Sequence, residues 1–375
     1  MKLRIKGIAF LLFVVMSLSC LLTSSASGLH NETVPTEPVL QNPIPTAPTV
    51  SQPTVPSTET IVPPTTSETI PVTTTPPTTV PPATESVTTP PDLPTTETTV
   101  PPTVPPVEPL TASHAFLYNL STDSYLFLKG SMEDRIYPAS ITKLFAAYVA
   151  LLHLDPHREI TVGSAIYTVP PDSSLAFLSI GDVLTVEDLI HGMLLPSGGD
   201  AARVIAAETG RFISGKSDIS DLDAINVFVE EMNRQATALG MTGTHFVTPD
   251  GFHDSNHYTT MGDLLLLAKL SLETPLIRQV AATKEYPVTL SGRSTSWRNT
   301  NMLLHEASQH PEFYRETAIG LKTGFTGAAG RCLLAAFLVD GETILSGVFG
   351  CPDPNWGFIA QFENICYLYD TYLAP

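Results

Sequence analysis

Apolar runs interrupted by polar turn residues occur near both ends of the region from residue 110 to residue 375, and they predict β-hairpins. Residues 114–128 have a polar turn at residues 121–123, and a second pair of apolar runs flanks Asp340-Gly341. Asp-Gly between two apolar runs is a strong signal for a type I′ turn, because both central residues of that turn need a positive φ. Residues 318–325 predict a further strand.

Four apolar runs with helical spacing lie between these hairpins. They are residues 140–152, 186–194, 224–239 and 264–272. Gly240 ends the third helix, and Thr260 with Asp263 resembles a capping box before the fourth. Hairpins at both ends of a block of helices predict an α+β fold, in which helices flank an antiparallel sheet and form an additional helical lobe.

The first 30 residues have a different pattern. Lys2, Arg4 and Lys6 precede an apolar run at residues 8–22, and small residues follow. This arrangement is typical of a secretory signal peptide. The run is shorter than the roughly 20 residues that a membrane-spanning helix needs, although retention as an N-terminal membrane anchor stays open.

Residues 31–109 are dominated by Pro, Thr, Val and Glu and contain neither Lys nor Arg. Such a segment buries too little apolar surface to offset the entropy of ordering it, so we expect a disordered, extended linker. The remaining residues, 110–375, are enough for one large domain or two lobes. An export signal followed by a long spacer suits a domain that works outside the cytoplasm, either secreted or anchored.

The net charge of −18 lies mainly in residues 110–375. An acidic surface disfavours binding to nucleic acid and docking on anionic lipid, so we expect membrane contact only through the N-terminal segment.

The spacing of the cysteines and histidines does not predict a metal site. The cysteines in the folded part are too few and too far apart for zinc, and at most one disulfide can form among Cys332, Cys351 and Cys366. Three histidines lie in a polar loop without acidic partners at ligand spacing, at positions 245, 253 and 257.

Three short motifs occur in order: Ser140-Ile141-Thr142-Lys143, Ser197-Gly198-Gly199 and Lys322-Thr323-Gly324. Alone, each is typical of a helix cap, a flexible loop or a turn. However, S-x-x-K and K-T-G each occur only once in the chain, Pro138-Ala139 precedes the first motif, and an apolar helical run follows it. Together they indicate a serine acyl-transfer enzyme that acts on a peptide or lactam carbonyl.

The residue types in these motifs fit that chemistry. A serine hydroxyl is a weak nucleophile until a base accepts its proton, and positions three apart share one face of a helix, so Lys143 would lie beside Ser140. A lysine acts as a base only where burial or a nearby cation favours its neutral form, and Lys322 is the expected cation. Unpaired N–H groups at the helix start suit an oxyanion hole.

The sequence resembles the D-alanyl-D-alanine carboxypeptidases, the low-molecular-weight penicillin-binding proteins of serine peptidase family S11, from about residue 113 to residue 369. The segments that carry the resemblance include Tyr137-Pro138-Ala139-Ser140, Leu195-Pro196-Ser197, Pro249-Asp250-Gly251, Asn256-His257-Tyr258-Thr259-Thr260 and Gly320-Leu321-Lys322-Thr323-Gly324-Phe325-Thr326. The resemblance implies a fold like that of penicillin-binding proteins and β-lactamases, with the active site between two lobes. It also implies that peptidoglycan stem peptides lose their terminal D-alanine through an acyl-enzyme, that β-lactams inhibit the enzyme, and that no metal or organic cofactor takes part.

The resemblance also implies catalytic roles for individual residues. Ser140 would be the acylated nucleophile, Lys143 the general base and Ser197 a proton relay. The backbone N–H groups of Ser140 and Phe325 would form the oxyanion hole.

Substrate binding would depend on the other motif residues. Lys322 and Thr323 would hold the terminal carboxylate, and Gly324 would leave room for the substrate backbone. The family's middle motif is usually Ser-x-Asn, whose Asn amide contacts the substrate backbone and the active-site lysine. Here Gly199 occupies that position and Asp200 follows it, so substrate positioning would differ.

Two other functions stay open at this point. One is a non-catalytic, penicillin-binding wall protein, in which Gly199 has weakened catalysis. The other is a class A-like β-lactamase, which deacylates through a water held by a glutamate. No segment resembles that glutamate loop.

Overall fold

The computed structural model describes residues 110–353 and 357–374. The predicted signal peptide, residues 1–30, and the predicted linker, residues 31–109, lie outside the described residues. Within the described part, no helix combines the length and the apolar character needed to cross a membrane.

A five-stranded antiparallel sheet is the largest β-structure of the described part. Its strands have the order β2-β1-β11-β10-β9, and shorter pairs are formed by β3 with β6, β4 with β5, and β7 with β8. The strands are β1 (His114–Asn119), β2 (Ser124–Lys129), β3 (Arg135–Ile136), β4 (Glu159–Thr161), β5 (Val183–Thr185), β6 (Thr259–Thr260), β7 (Glu285–Leu290), β8 (Arg293–Arg298), β9 (Ala318–Thr326), β10 (Gly330–Val339) and β11 (Glu342–Cys351). The hairpins β1–β2 and β10–β11 confirm the predicted ones, and Asp340 and Gly341 have φ values of 51° and 84°, as a type I′ turn requires.

Helices account for most of the described chain between β3 and β7. They are α1 (Thr142–His153), α2 (Val186–Leu194), α3 (Gly199–Ser214), α4 (Asp221–Ala238), α5 (Met261–Glu273), α6 (Pro275–Ala282) and, after the sheet, α7 (Ala360–Tyr372). The bounds of α2 are the predicted ones. The first predicted helix is divided, because Ser140 lies in a 3₁₀ turn, Ala139–Ile141, and α1 begins after it. No bounds were predicted for α3, whose first residue is glycine, a poor helix former.

The predicted capping box before α5 forms only in part. The Thr260 hydroxyl accepts from the backbone N–H of Asp263, as predicted. The Asp263 carboxylate instead accepts from the N–H of Gly243 and the hydroxyl of Thr244. Asp263 therefore joins the start of α5 to the turn after α4.

The two faces of the sheet contribute to separate cores, because successive side chains along a strand point to opposite sides. Phe116 packs in a core shared with the helices between β3 and β7, whereas the neighbouring Leu117 packs in a second core with α7. The three described cysteines are buried free thiols, with Cys332 in the first core and Cys351 and Cys366 in the second. This arrangement is the predicted α+β fold.

Candidate active site

A cavity of about 890 Å³ opens between the edge strand β9, the 3₁₀ turn before α1 and the loops that precede α3 and β6. Most of the residues singled out from the sequence line this cavity, namely Ser140, Lys143, Ser197, Gly199, Thr323, Gly324 and Phe325. Lys322 is the exception, and its side chain is almost completely buried in the protein.

Ser140 and Lys143 are in direct contact. Lys143 Nζ lies 2.8 Å from Ser140 Oγ and donates to the backbone carbonyl of Asp250 at 2.7 Å. The contact follows from the local fold, because the 3₁₀ turn continues into α1 and residues three apart fall on the same side. The geometry allows proton transfer between the two side chains.

Burial increases the fraction of Lys143 that is neutral and able to accept a proton. Burial, with a smaller effect of the Arg203 charge, lowers the pKa of Lys143 from the usual 10.5 to about 8, against the opposing charges of Asp250 and Asp200. Arg203 is a neighbouring cation of Lys143 that the sequence analysis did not name. Burial and then the Lys143 charge lower the pKa of Lys322 itself well below its usual range.

Gly324 lets the edge strand approach Ser140 closely. A Cβ atom there would lie 3.0 Å from the carbonyl oxygen of Pro138 and 3.3 Å from the backbone nitrogen of Ser140. A side chain would push β9 away from the 3₁₀ turn. The backbone of β9 therefore runs beside the Ser140 N–H, as an oxyanion hole built from Ser140 and Phe325 would require.

The middle motif joins α2 to α3. Ser197 is buried, has a φ of 64° and lines the cavity. A Cβ at Gly198 would lie 2.6 Å from the carbonyl oxygen of Gly192, so that position requires glycine. Gly199 opens α3 without a positive φ, and a Cβ there would meet its neighbours at an ordinary 3.4 Å. The backbone at Gly199 can therefore accept a side chain.

A loop at residues 169–180 forms the wall of the cavity beside Gly199. The Asp200 carboxylate holds this loop by accepting from the N–H groups of Ala176 and Leu178 at 2.7 and 3.0 Å. The Trp297 indole N–H donates to the carbonyl of Ala176 at 2.9 Å. Sequence reasoning missed these contacts, because only the fold brings the loop, α3 and β8 together.

Arg331 belongs to the opposite wall. Its guanidinium carbon lies 3.7 Å from the ring centre of Phe325 and 4.1 Å from that of Phe358. Its Nε donates to Asp353 at 2.7 Å, so the Arg331 charge already has a carboxylate partner in the protein.

His257 ties the loop after α4 to the start of α1. Its Nε2 lies 2.9 Å from Thr142 Oγ1, and its Nδ1 accepts from the N–H of Val247 at 3.1 Å. Burial lowers the pKa of His257 to about 4, so the ring is neutral at pH 7. The other two histidines of this loop make separate contacts, His253 with the Tyr137 ring and His245 with a backbone carbonyl.

Comparison with known proteins identifies the family. Residues 98–353 match peptidase family S11, described as D-alanyl-D-alanine carboxypeptidase. The D-alanyl-D-alanine carboxypeptidase of Streptomyces sp. (strain K15) is 33% identical over 243 residues, which cover 62% of this chain and 78% of the relative. The D-alanyl-D-alanine carboxypeptidase DacF of Bacillus subtilis (strain 168) is 30% identical over 249 residues, which cover 65% of this chain and 58% of the relative.

Solved structures agree with this result. The crystal structure of the Streptomyces K15 DD-transpeptidase aligns with a TM-score of 0.62 at 29% identity, covering 71% of this chain and 98% of that one. This likeness confirms the predicted penicillin-binding-protein fold. Because the family match spans more than half of its length, this chain belongs to the D-alanyl-D-alanine carboxypeptidases of serine peptidase family S11, a family of hydrolases.

Proposed function

We propose that this enzyme removes the terminal D-alanine from peptidoglycan stem peptides through an acyl-enzyme on Ser140. The observation that carries the proposal is the 2.8 Å contact between Lys143 Nζ and Ser140 Oγ in a cavity bordered by the K-T-G strand. Neutral Lys143 takes the serine proton while the serine oxygen bonds to the carbonyl carbon between the two D-alanines. The C–N bond then breaks, the leaving amine receives a proton, and water hydrolyses the ester.

The remaining motif residues serve the same reaction. Ser197, in the cavity wall, relays the proton towards the leaving amine. The N–H groups of Ser140 and Phe325 stabilise the oxyanion. Thr323 holds the substrate carboxylate from the cavity wall, and Lys322, whose Nζ lies behind it at 3.2 Å from the Thr323 carbonyl oxygen, attracts the carboxylate by its charge. The negative charge of the substrate favours the protonated form of this buried lysine.

Release of D-alanine tests the proposal. The full chain is incubated with a peptide ending in D-Ala-D-Ala, and free D-alanine is measured. We expect release by the wild type and by Ser217→Ala, a change of an exposed serine between α3 and α4, but none by Ser140→Ala. If folded wild-type protein released no D-alanine from stem peptides of several lengths, the non-catalytic wall-protein alternative would replace this proposal.

β-Lactams should acylate Ser140, and the resulting acyl-enzyme should hydrolyse slowly. Among the residues that the structure describes, no glutamate lines the cavity, and Glu208 is paired with Arg211 at 2.8 Å on α3. A class A-like enzyme needs a glutamate to hold the deacylating water, so we expect a long-lived penicillin adduct. Rapid turnover of penicillin would instead favour the β-lactamase alternative.

Transfer of the acyl group to an amine is a second candidate activity. It is favoured by the likeness to a solved structure named a DD-transpeptidase, which this chain covers almost completely. Addition of an amino-acid acceptor to the D-alanine assay separates the two activities. A transpeptidase would form the exchanged peptide, whereas a strict carboxypeptidase would form only the shortened one.

We infer the place of action from the N-terminal sequence. Residues 1–30 would direct export and either be removed or stay as a membrane anchor, and residues 31–109 would span part of the cell wall. The enzyme would then act outside the cytoplasm and influence cell shape by trimming stem peptides. N-terminal sequencing of the exported protein would distinguish cleavage from retention of the leader.

A further inference from the structure

An ion pair lies buried directly behind the active-site lysine. Arg203, on the second turn of α3, donates from Nε to the Asp250 carboxylate at 2.9 Å, and the two side chains are only 8% and 3% exposed. Asp250 lies in the loop before β6, and the backbone carbonyl of this same residue receives the hydrogen bond from Lys143. Asp250 thus contacts Arg203 with its side chain and Lys143 with its backbone.

The loop that carries Asp250 also touches the turn that carries Ser140. Gly251 has a φ of 78°, and a Cβ there would lie 1.9 Å from the carbonyl oxygen of Ala139. The other carboxylate oxygen of Asp250 accepts from the N–H of Phe252 at 3.1 Å, which fixes the turn after it. A shift of Asp250 would therefore move both the partner of Lys143 and the backbone next to Ser140.

A buried ion pair needs a reason other than stability, because desolvation cancels much of the attraction between the two charges. We propose that Arg203 and Asp250 are positioning residues for acyl transfer, a buried ion pair that aims the Asp250 carbonyl at Lys143 and balances the carboxylate charge there. This inference rests on the proposed function of Lys143 as the general base.

The charges around Lys143 support this role. Asp250 and Asp200 raise the pKa of Lys143, whereas Arg203 lowers it, and burial is the largest effect. Lys322, on β9, is the other lysine whose charge state is linked to that of Lys143. Without Arg203, the buried carboxylate would favour the protonated, inactive form of the base.

The pH dependence of penicillin acylation tests the inference in the full chain. Asp250→Asn keeps the backbone carbonyl and the side-chain shape but removes the negative charge, so the pKa of Lys143 should fall. In a plot of acylation rate against pH, the acid limb is the fall of the rate towards low pH as the base becomes protonated. We expect this acid limb to move to lower pH by about one unit. Arg203→Lys retains the positive charge and should keep the limb near its wild-type position, with a modest loss of rate.

A double variant separates the charge effect from the positioning effect. Arg203→Met combined with Asp250→Asn leaves no unpaired buried charge, so the acid limb should return towards that of the wild type. The maximal rate should still fall, by about tenfold, because the side chain at position 250 no longer has a partner at position 203 that holds its loop in place. This variant also keeps the test valid if Asp250→Asn alone does not fold.

The matched control is a second ion pair on the same helix. Arg211 pairs with Asp221 at 2.5 Å, two turns further along α3. Asp221→Asn should change the melting temperature without moving the acid limb. If the Asp250 and double variants behaved like this control, the pair would be structural only and the inference would be wrong. Failure of the proposed function would appear separately, as a wild type that penicillin does not acylate.

Discussion

At the scale of residues, the proposed mechanism makes the reactivity of Ser140 depend on the pKa of one buried lysine, because Lys143 can accept the serine proton only while it is neutral. A lysine with a pKa of 10.5 would be neutral in roughly one molecule in three thousand at pH 7, whereas a pKa of about 8 makes roughly a tenth neutral. We therefore expect the rate of penicillin acylation to rise with pH through a midpoint near 8. A pH-independent rate between 6 and 9 would contradict the assignment of Lys143 as the base.

Removing the two active-site lysines should have different consequences. Lys143→Ala should slow acylation by all acyl donors by on the order of a hundredfold or more, because the serine loses its base. Lys322→Ala should mainly weaken donors that carry a carboxylate. Acylation by an ester without a carboxylate, compared with a matched donor that has one, measures the difference.

The control for these variants is Lys269→Ala, a change on α5 that removes a contact with Tyr118 outside the cavity. It should leave both rates near those of the wild type. Equal losses in Lys143→Ala and Lys322→Ala with the ester would contradict separate roles.

Gly199→Asn tests the position at which the resemblance to the family implies an asparagine. Because a Cβ fits there and φ is not positive, the variant should fold. One added hydrogen bond to the substrate backbone is worth roughly 0.5–1.5 kcal/mol, so D-alanine release should increase by about two- to tenfold.

Gly198→Asn is the matched control for that variant, because a side chain there would collide with the Gly192 carbonyl. It should lower stability and activity together. If Gly199→Asn folded but showed unchanged or lower kcat/KM, the missing amide would not limit this enzyme.

At the scale of elements, Asp200 holds the loop at residues 169–180 in its conformation. Asp200→Ala leaves the N–H groups of Ala176 and Leu178 without their acceptor. Each unsatisfied buried donor costs about 1–3 kcal/mol, and relaxation of the loop would recover part of this. We expect the free energy of unfolding to fall by about 1–3 kcal/mol, the amides of both residues to exchange faster, and KM for the peptide to increase.

The exposed Asp223 in the first turn of α4 is the control. Its carboxylate accepts from the Ser220 hydroxyl and is exposed, so Asp223→Ala should change stability by less than about 0.5 kcal/mol. Slow amide exchange retained in Asp200→Ala would show that other contacts hold the loop.

The sequence predicted local elements better than the contacts between residues that are distant in the chain. The S-x-x-K spacing led directly to the Ser140–Lys143 contact, and the Asp340-Gly341 turn defined the hairpin. By contrast, Arg203 and Asp250 are 47 positions apart, and no local pattern reveals that the fold buries them against each other. The near-complete burial of Lys322 could not be predicted for the same reason, because it depends on how β9 packs on the helices.

At the scale of the whole molecule, residues 31–109 should be dispensable for chemistry. A chain that starts at Leu110 should keep its melting temperature and its rate of D-alanine release. A chain that starts at His114 should be less stable, because it lacks Leu110 and Ala112, both buried in the core with α7. It also lacks the hydrogen bond from the Ala112 N–H to Asn364. Equal stability of the two shortened chains would contradict the packing described for this region.

The central claim is that Ser140 is the nucleophile of this enzyme. It is tested most directly by incubating the full chain with penicillin, measuring the intact mass and mapping the modified peptide. We expect one penicillin per chain, attached to Ser140, and no adduct on Ser140→Ala. An adduct on another residue, an adduct that persists in Ser140→Ala, or no adduct on folded wild-type protein would contradict the account.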